Sequence, residues 1–392
     1  MRPLGVYLSI PFCRAKCAYC NFASGAFGSG RLPGYVDRLD AEMRSVRSRV
    51  EPWGATLACA VDSVYFGGGT PSLLPPAQIA QIFRALRDEF DIAGGAEITI
   101  ECAPGQLADE TFEEMLRQGV NRISLGVQSF VDREAALVGR KHTRALCEQE
   151  LRRFEAAGIG EINIDLIIGL PCQTEESWLE SVEQAARCGA PHVSMYALEV
   201  DEDSRLGREV LAHGGGLHAS EVPDEDTVAA WYQSACERLD AAGIEQYEIS
   251  NFAREGHRSR HNLKYWHREP YLGFGLDAHS MLPVEGGFVR FANTGELDIY
   301  LAAEPARAPE VLGENEAFEE SLFLGLRLTD GVSLNTLRTR FGVSRVEAIL
   351  PAALETCEAG LLALHNEVLR LTARGRMASN EVFSRLLIPT PV

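Results

Sequence analysis

Six short aliphatic runs, each followed by residues at helical spacing, constrain this chain more than any other feature of it. Leu4–Ile10, Val61–Phe66, Glu97–Glu101, Asn121–Gly126, Glu161–Ile168 and His192–Leu198 read as strands. Helices are expected over Pro33–Val50, Pro75–Phe90, Asp109–Gln118, Arg144–Ala157, Thr174–Cys188 and Asp224–Ala242. In the second of these, Ile79, Ile82, Phe83 and Leu86 recur on one helical face. Strands alternating with helices imply parallel β/α units, because a parallel neighbour needs a crossover long enough to hold a helix. The pattern fits an α/β barrel and an open sheet equally well. In either, ligands sit at the C-terminal ends of the strands.

The pattern changes beyond Gln246. Tyr247–Phe252 is strand-like, Arg254–Arg268 is basic and contains histidines, and Tyr271–Ser280 is rich in glycine. From about Glu314 the chain reads as amphipathic helices with a hairpin-like piece at Leu361–Leu371, an order that suggests a small winged-helix-like domain. The expected divisions are 1–245, an accessory segment 246–310, and a C-terminal helical domain 311–392. With 392 residues, of which 46% are apolar, there is ample material for one large core and a small one. A net charge of −19 argues against a broad nucleic-acid surface, and no apolar run approaches a membrane span. A cytoplasmic protein is expected.

Directly after the first strand stand Cys13, Cys17 and Cys20, at the spacing C-x3-C-x2-C. Thiolates suit iron–sulfur clusters or zinc, and close spacing lets one loop wrap one inorganic centre. Three ligands on a cubane [4Fe–4S] cluster would leave one iron open to a small molecule. A closed zinc site would need a fourth ligand, for which Cys59 is the nearest downstream cysteine. The other cysteines are scattered singly among apolar or helical surroundings, which suits a reducing compartment.

Further polar and glycine motifs follow the other strands. Gly67-Gly68-Gly69-Thr70 ends the second, where backbone without Cβ atoms can approach a ligand or simply turn tightly. Glu101 ends the third, Gln128 and Arg140 follow the fourth, and Asp165 lies within the fifth. One carboxylate at a strand end is ordinarily a cap or a surface charge. Such groups in or after successive strands, above one cysteine loop, are a less ordinary coincidence, with acceptors for hydroxyls and a guanidinium for a carboxylate.

The cysteine spacing resembles that of radical S-adenosylmethionine (SAM) enzymes. The stretches Gly119–Phe130, Gly139–His142, Asn163–Pro171, Tyr247–Ala253 and Tyr271–Ser280 are similar to those of the oxygen-independent coproporphyrinogen III oxidase family. The resemblance implies a partial (β/α)6 barrel, a [4Fe–4S] cluster on Cys13, Cys17 and Cys20, and SAM bound to its open iron. By the same resemblance, Tyr7, Tyr19, Gly68, Gly69, Thr70, Glu101, Gln128, Arg140, Asp165 and Ala197 would surround SAM. A reductant protein would supply the cluster's electron.

That family has an oxidase branch, which decarboxylates coproporphyrinogen III, and a heme-chaperone branch, which delivers heme to acceptor proteins. Three features favour the chaperone branch. Phe22 stands where the oxidases usually carry a further cysteine; Cys13 arrives after only twelve residues, where they have a substantial extension; and His261-Asn262-Leu263-Lys264-Tyr265-Trp266 matches an H-N-x-x-Y-W motif associated with heme binding. The resemblance makes His261 a candidate heme ligand, although a histidine beside Asn and two aromatics also reads as a hydrogen-bonded structural residue. His257, His267 and His279 could take its place. Arg254, Arg258, Arg260 and Lys264 could pair with heme propionates or form a solvated basic face. Asp277 departs from the small residue that relatives often carry there.

Overall fold

A computed structural model describes residues 2–303 and 308–388. Met1, residues 304–307 of the expected accessory segment and residues 389–392 of the expected C-terminal domain lie outside the described residues. Six β/α units come first. They are β1 (Leu4–Ile10) with α1 (Leu32–Val50), β2 (Ala60–Gly68) with α2 (Pro76–Glu89), and β3 (Asp91–Cys102) with α3 (Asp109–Arg117). Then come β4 (Arg122–Gln128) with α4 (Asp132–Leu137) and α5 (Arg144–Ala156), β5 (Glu161–Ile168) with α6 (Glu175–Arg187), and β6 (His192–Ala197) with α7 (Arg205–Leu211) and α8 (Glu225–Ala241). All six strands are parallel and hydrogen-bonded in sequence order.

Alternation along these strands separates two environments. Val6, Leu8, Ile98, Ile100, Ile123, Leu125, Ile162, Ile164, Val193 and Met195 point outward, into a core completed by the helices. Tyr35, Ile79, Phe83, Met115, Phe154 and Trp178 come from the helix side of that core. Each such large side chain contributes about 1.5–3 kcal/mol relative to exposure. The inward positions between them are polar or small: Gly5, Tyr7 and Ser9; Ser63, Tyr65 and Gly67; Glu97, Thr99 and Glu101; Ser124, Asn163 and Ser194. Their register places Tyr7 beside Tyr65, Tyr65 beside Thr99, and Glu101 beside Ser124. The barrel is therefore held together from its outside and is hydrophilic within.

The segment after residue 245 extends the same sheet. β7 (Glu245–Gln246) and β8 (Asn251–Ala253) continue it antiparallel beyond β6. Short helix α9 (Arg260–Trp266) is followed by β9 (Tyr271–Phe274), which pairs parallel with β1 on the barrel's other flank. The hairpin β10 (His279–Val284) and β11 (Gly287–Ala292), helix α10 (Leu297–Leu301) and β12 (Glu310–Leu312) complete a twelve-stranded sheet. The basic stretch thus contains a helix, and the glycine-rich stretch contains a strand and the start of a hairpin.

The C-terminal region has its own core, built around Phe318, Leu322, Leu326, Leu337, Val346, Ile349 and Leu369. Helices α11 (Glu314–Arg327), α12 (Leu334–Phe341) and α13 (Val343–Glu358) pack on a sheet of β13 (Val332–Ser333), β14 (Leu362–His365) and β15 (Val368–Leu371). Two short helices, α14 (Ala373–Met377) and α15 (Ser379–Arg385), close the described chain. The expected hairpin is β14–β15. The third strand, β13, has two residues and leaves no periodic signal.

Candidate functional site at the C-terminal rim

The cysteine loop leaves β1 at the end where the parallel strands terminate, and the glycine run after β2 supports it. A Cβ on Gly69 would lie 2.7–2.9 Å from backbone atoms of Ile10, Pro11 and Phe12, so only glycine permits this approach. The Gly69 N–H donates to Ile10 O and the Thr70 N–H to Phe12 O, at 3.0 and 2.9 Å. These amides hold the loop and are not aimed at a ligand. Gly68 has φ +98°, a left-handed conformation that glycine adopts at no steric cost.

Each cysteine sulfur has a polar side-chain atom at 3.7 Å: Thr70 Oγ1 at Cys13, Arg140 Nη1 at Cys17 and Ser24 Oγ at Cys20. Burial raises the Cys13 thiol above its usual range. Among the described residues no three Cys, His, Asp or Glu side chains group to hold a single ion. Cys59 is exposed and precedes β2, so it lies at the opposite end of the barrel. Three thiols in one loop without Cys59 beside them fit a cluster with one open iron better than a closed four-ligand zinc site.

Around this loop the rim gathers most of the other candidates. Glu101 Oε1 accepts from Tyr65 Oη at 3.0 Å. Asp165 accepts from Ser124 Oγ at 3.0 Å and Asn163 Nδ2 at 2.7 Å. Burial, with Asp165 nearby, pushes the Glu101 carboxyl up to about 8. Burial likewise raises Asp165 to about 6, against the opposing pull of Ser124 and Asn163. Two desolvated carboxyls facing one lumen form a site that favours a cation or hydroxyl donors. Tyr7 lies beside them: a Cβ on Gly67 would meet Glu101 Oε1 at 2.9 Å and Tyr7 Oη at 3.0 Å.

Gln128 is held at φ +69°, where the register between β4 and β5 shifts. A non-glycine residue there costs about 1–2 kcal/mol, and such strain gathers at binding sites. Arg140 is engaged within the protein, donating to Gly126 O as well as approaching Cys17. It ties the β4 end to the cysteine loop. Tyr19 packs within that loop against Val138, Ile167 and Leu170. Ala197 is exposed at the end of β6, paired in register with Ile168.

His261 is elsewhere. It sits on α9 at the N-terminal end of the strands, 1% exposed. Its Nδ1 pairs with Ser63 Oγ at 3.0 Å and its Nε2 with Tyr265 Oη at 2.9 Å. Tyr65 stacks on the ring, and burial pushes the imidazole down to about 3. Both ring nitrogens are occupied, so in this arrangement it offers nothing to an iron. Glu97 accepts from the backbone N–H of Arg260 and His261, and Lys264 bonds Pro3 O and Asp62. The motif thus builds a floor under the barrel. Arg254, Arg258 and Arg260 are likewise tied to Ala242 O, Asp330 and Gly95 O. His257 pairs with Glu161.

Sequence reasoning missed the inward groups that orient the rim: Tyr65, Thr99, Ser124, Asn163 and Ser194. The signal was present, since each alternates with an aliphatic residue inside its strand. Thr99 Oγ1 is buried in the lumen with no partner among the described residues, an orphan that a bound ligand would satisfy.

Comparison with known proteins places this arrangement. A family model described as the Radical SAM superfamily matches residues 7–185, and one described as the HemN C-terminal domain matches 312–378. Heme chaperone HemW of Lactococcus lactis is 32% identical, with 99% of this chain and 98% of that protein covered. Heme chaperone HemW of Mycobacterium tuberculosis is 35% identical, with 98% and 95% covered. The mitochondrial radical S-adenosyl methionine domain-containing protein 1 of Bos taurus is 32% identical over 97% of this chain and 87% of its own. The solved structure of Escherichia coli coproporphyrinogen III oxidase (HemN), a radical SAM enzyme, superposes with a TM-score of 0.83 at 22% identity, covering 98% of this chain and 90% of that one. With a cysteine loop, a glycine brace and two buried carboxyls at one rim, and relatives matched from end to end, the chain belongs to the HemW family of radical SAM proteins.

Proposed function

We propose that this protein is a heme chaperone, binding heme and passing it to acceptor proteins, with a [4Fe–4S] cluster on Cys13, Cys17 and Cys20 and SAM in the mouth of the barrel. The observation that carries this reading is the end-to-end likeness to HemW chaperones at 32–35% identity. Phe22 adds to it: it is 66% exposed on the cysteine loop, at the position where a further thiol would mark an oxidase. No helix among the described residues is long and apolar enough to cross a membrane.

The cluster, when bound, supplies an electron and one iron open to SAM. Glu101 and Asp165 would accept hydrogen bonds from the ribose hydroxyls of SAM and balance its positive charge; Tyr65 orients the first, and Ser124 and Asn163 the second. Thr70, Ser24 and Arg140 stand where they would donate toward the sulfurs of a bound cluster, which would stabilise its more negative state and raise its potential. Gln128 and the unpaired Thr99 complete the polar wall.

The second reading, coproporphyrinogen III dehydrogenase, rests on the fold shared with HemN. The two separate in one anaerobic experiment, in which reconstituted protein receives SAM and reductant with either coproporphyrinogen III or heme. Stoichiometric heme uptake without decarboxylation is expected. Vinyl product rising in step with 5′-deoxyadenosine would overturn the chaperone reading. Cys17→Ala should lose nearly all cluster absorbance and iron.

A further inference from the structure

Beneath the barrel floor is a cavity of about 460 Å³ that neither the cysteine loop nor the carboxyl rim touches. Leu4 and Phe288 are among its apolar walls; Arg2, His267, Arg268 and Arg340 line its polar side. It lies between the N-terminal ends of the strands and α12 of the C-terminal region. Its volume is within the range of small-molecule sites, roughly 300–1,000 Å³.

Arg268 is the telling residue. Its side chain is 1% exposed, and its Nε donates to Glu320 at 2.8 Å. Neither Nη atom has a partner among the described residues. A buried guanidinium with two unsatisfied ends is costly, and its Cζ lies over the Phe288 ring, 4.5 Å from the centroid. Its backbone is at φ +53°, just past the end of α9, where glycine is the usual residue. The chain accepts strain to place this side chain there. Arg340 faces it, and burial together with the charges of Arg268 and Arg2 holds its guanidinium below the usual range. Glu269 pairs with Arg2, and Glu320 is shared between Arg268 and Arg290, so the acids present leave positive charge over. His267 is exposed beside them, with no hydrogen bond to its ring nitrogens among the described residues.

These groups call for a ligand with an apolar body, more than one anionic group and an affinity for imidazole. We propose that this cavity is where heme docks, its carboxylates on Arg268 and Arg340, its ring against Leu4 and Phe288, and its iron on His267 in place of His261. The inference rests on the chaperone reading and locates its cargo. It also gives the H-N-x-x-Y-W helix a purpose that a buried His261 alone does not: it is the rigid stem whose last turn aims His267 and Arg268 downward.

The test is a hemin titration of the full-length, cluster-loaded protein, followed in the Soret band and repeated with hemin dimethyl ester, whose carboxylates are masked. His267→Ala should shift the band and weaken binding about tenfold or more. Arg340→Gln and Arg268→Gln should each weaken hemin by roughly tenfold, the worth of one charge-assisted hydrogen bond, and leave the ester unaffected. Arg340 is far more accessible than Arg268, so its variant serves should Arg268→Gln fail to fold. Wild-type uptake of hemin with all three variants unchanged in spectrum and affinity would overturn this site while sparing the chaperone reading. No uptake by the wild-type protein would sink the chaperone reading itself, and this site with it.

Discussion

The two ends of the barrel use the same strands in opposite ways. At the C-terminal rim the inward residues are acidic and desolvated, Glu101 and Asp165, with Gln128 strained and Thr99 unpartnered. At the N-terminal end, the carboxylate of Glu97 caps α9 and approaches Arg122 at 3.8 Å, and His261 has a partner on each nitrogen. Inside the lumen, one end leaves polar groups waiting for a ligand and the other satisfies them within the fold; the guanidinium of Arg268 lies below the floor and faces the separate cavity there. A buried polar side chain is therefore no guide to function until its partners are counted.

That contrast predicts where substitutions cost stability and where they cost binding. Glu97→Ala should have the largest effect, lowering stability by about 3 kcal/mol, because it leaves the backbone N–H groups of Arg260 and His261 without their acceptor, while Arg122 keeps Glu161. Urea unfolding of the cluster-loaded protein measures it, and a loss below about 1 kcal/mol would mean the floor is not a structural plug. His261→Ala should cost about 2 kcal/mol by stranding the hydroxyls of Ser63 and Tyr265, with hemin stoichiometry unchanged. Lost stoichiometry in a folded variant would return His261 to the role of ligand.

At the rim the expected effect is on binding and depends on pH. Glu101 is raised to about 8, so near neutral pH it is largely protonated. A ligand that needs the carboxylate must release that proton, so SAM affinity should climb as pH rises toward about 8 and then level, by up to roughly tenfold per unit. Glu101→Gln should flatten the profile. In the absence of ligand the same group works against the fold, since the unfolded chain ionises first: stability falls as pH rises from the ordinary carboxyl range to about 8. The smallest effect is expected for Asp277→Gly. Asp277 sits at φ +57°, a conformation glycine adopts freely, which accounts for the small residue expected there, and the change should move stability by less than about 1 kcal/mol.

The alternation of strands and helices was legible because each outward strand face is aliphatic; β1 and β5 fall on the boundaries read from sequence. The rim was legible through motifs at strand ends. The floor was not. Helix α9 is seven residues long, and apart from its local cap, Ser259, its first amides are satisfied by Glu97, distant in sequence, so little in the sequence marks it as a helix. The hairpin β10–β11 was hidden by Pro283 and by a glycine turn. Arg268 and Arg340 belong to segments read separately, and only the docking of the C-terminal region on the barrel brings them together.

The lateness of α9 in the chain has a consequence for biosynthesis. The strands it plugs are made first, yet their lower ends wait for bonds across 164 residues to Glu97, 198 to Ser63 and 261 to Pro3. Strand β9, which flanks β1, comes later still. A nascent chain stalled before Arg260 would expose an unplugged lumen and an unpaired β1 edge, a species prone to aggregate and slow to resolve because its missing contacts are so non-local. Emergence of α9 and β9 from the ribosome is the event that ends this exposure.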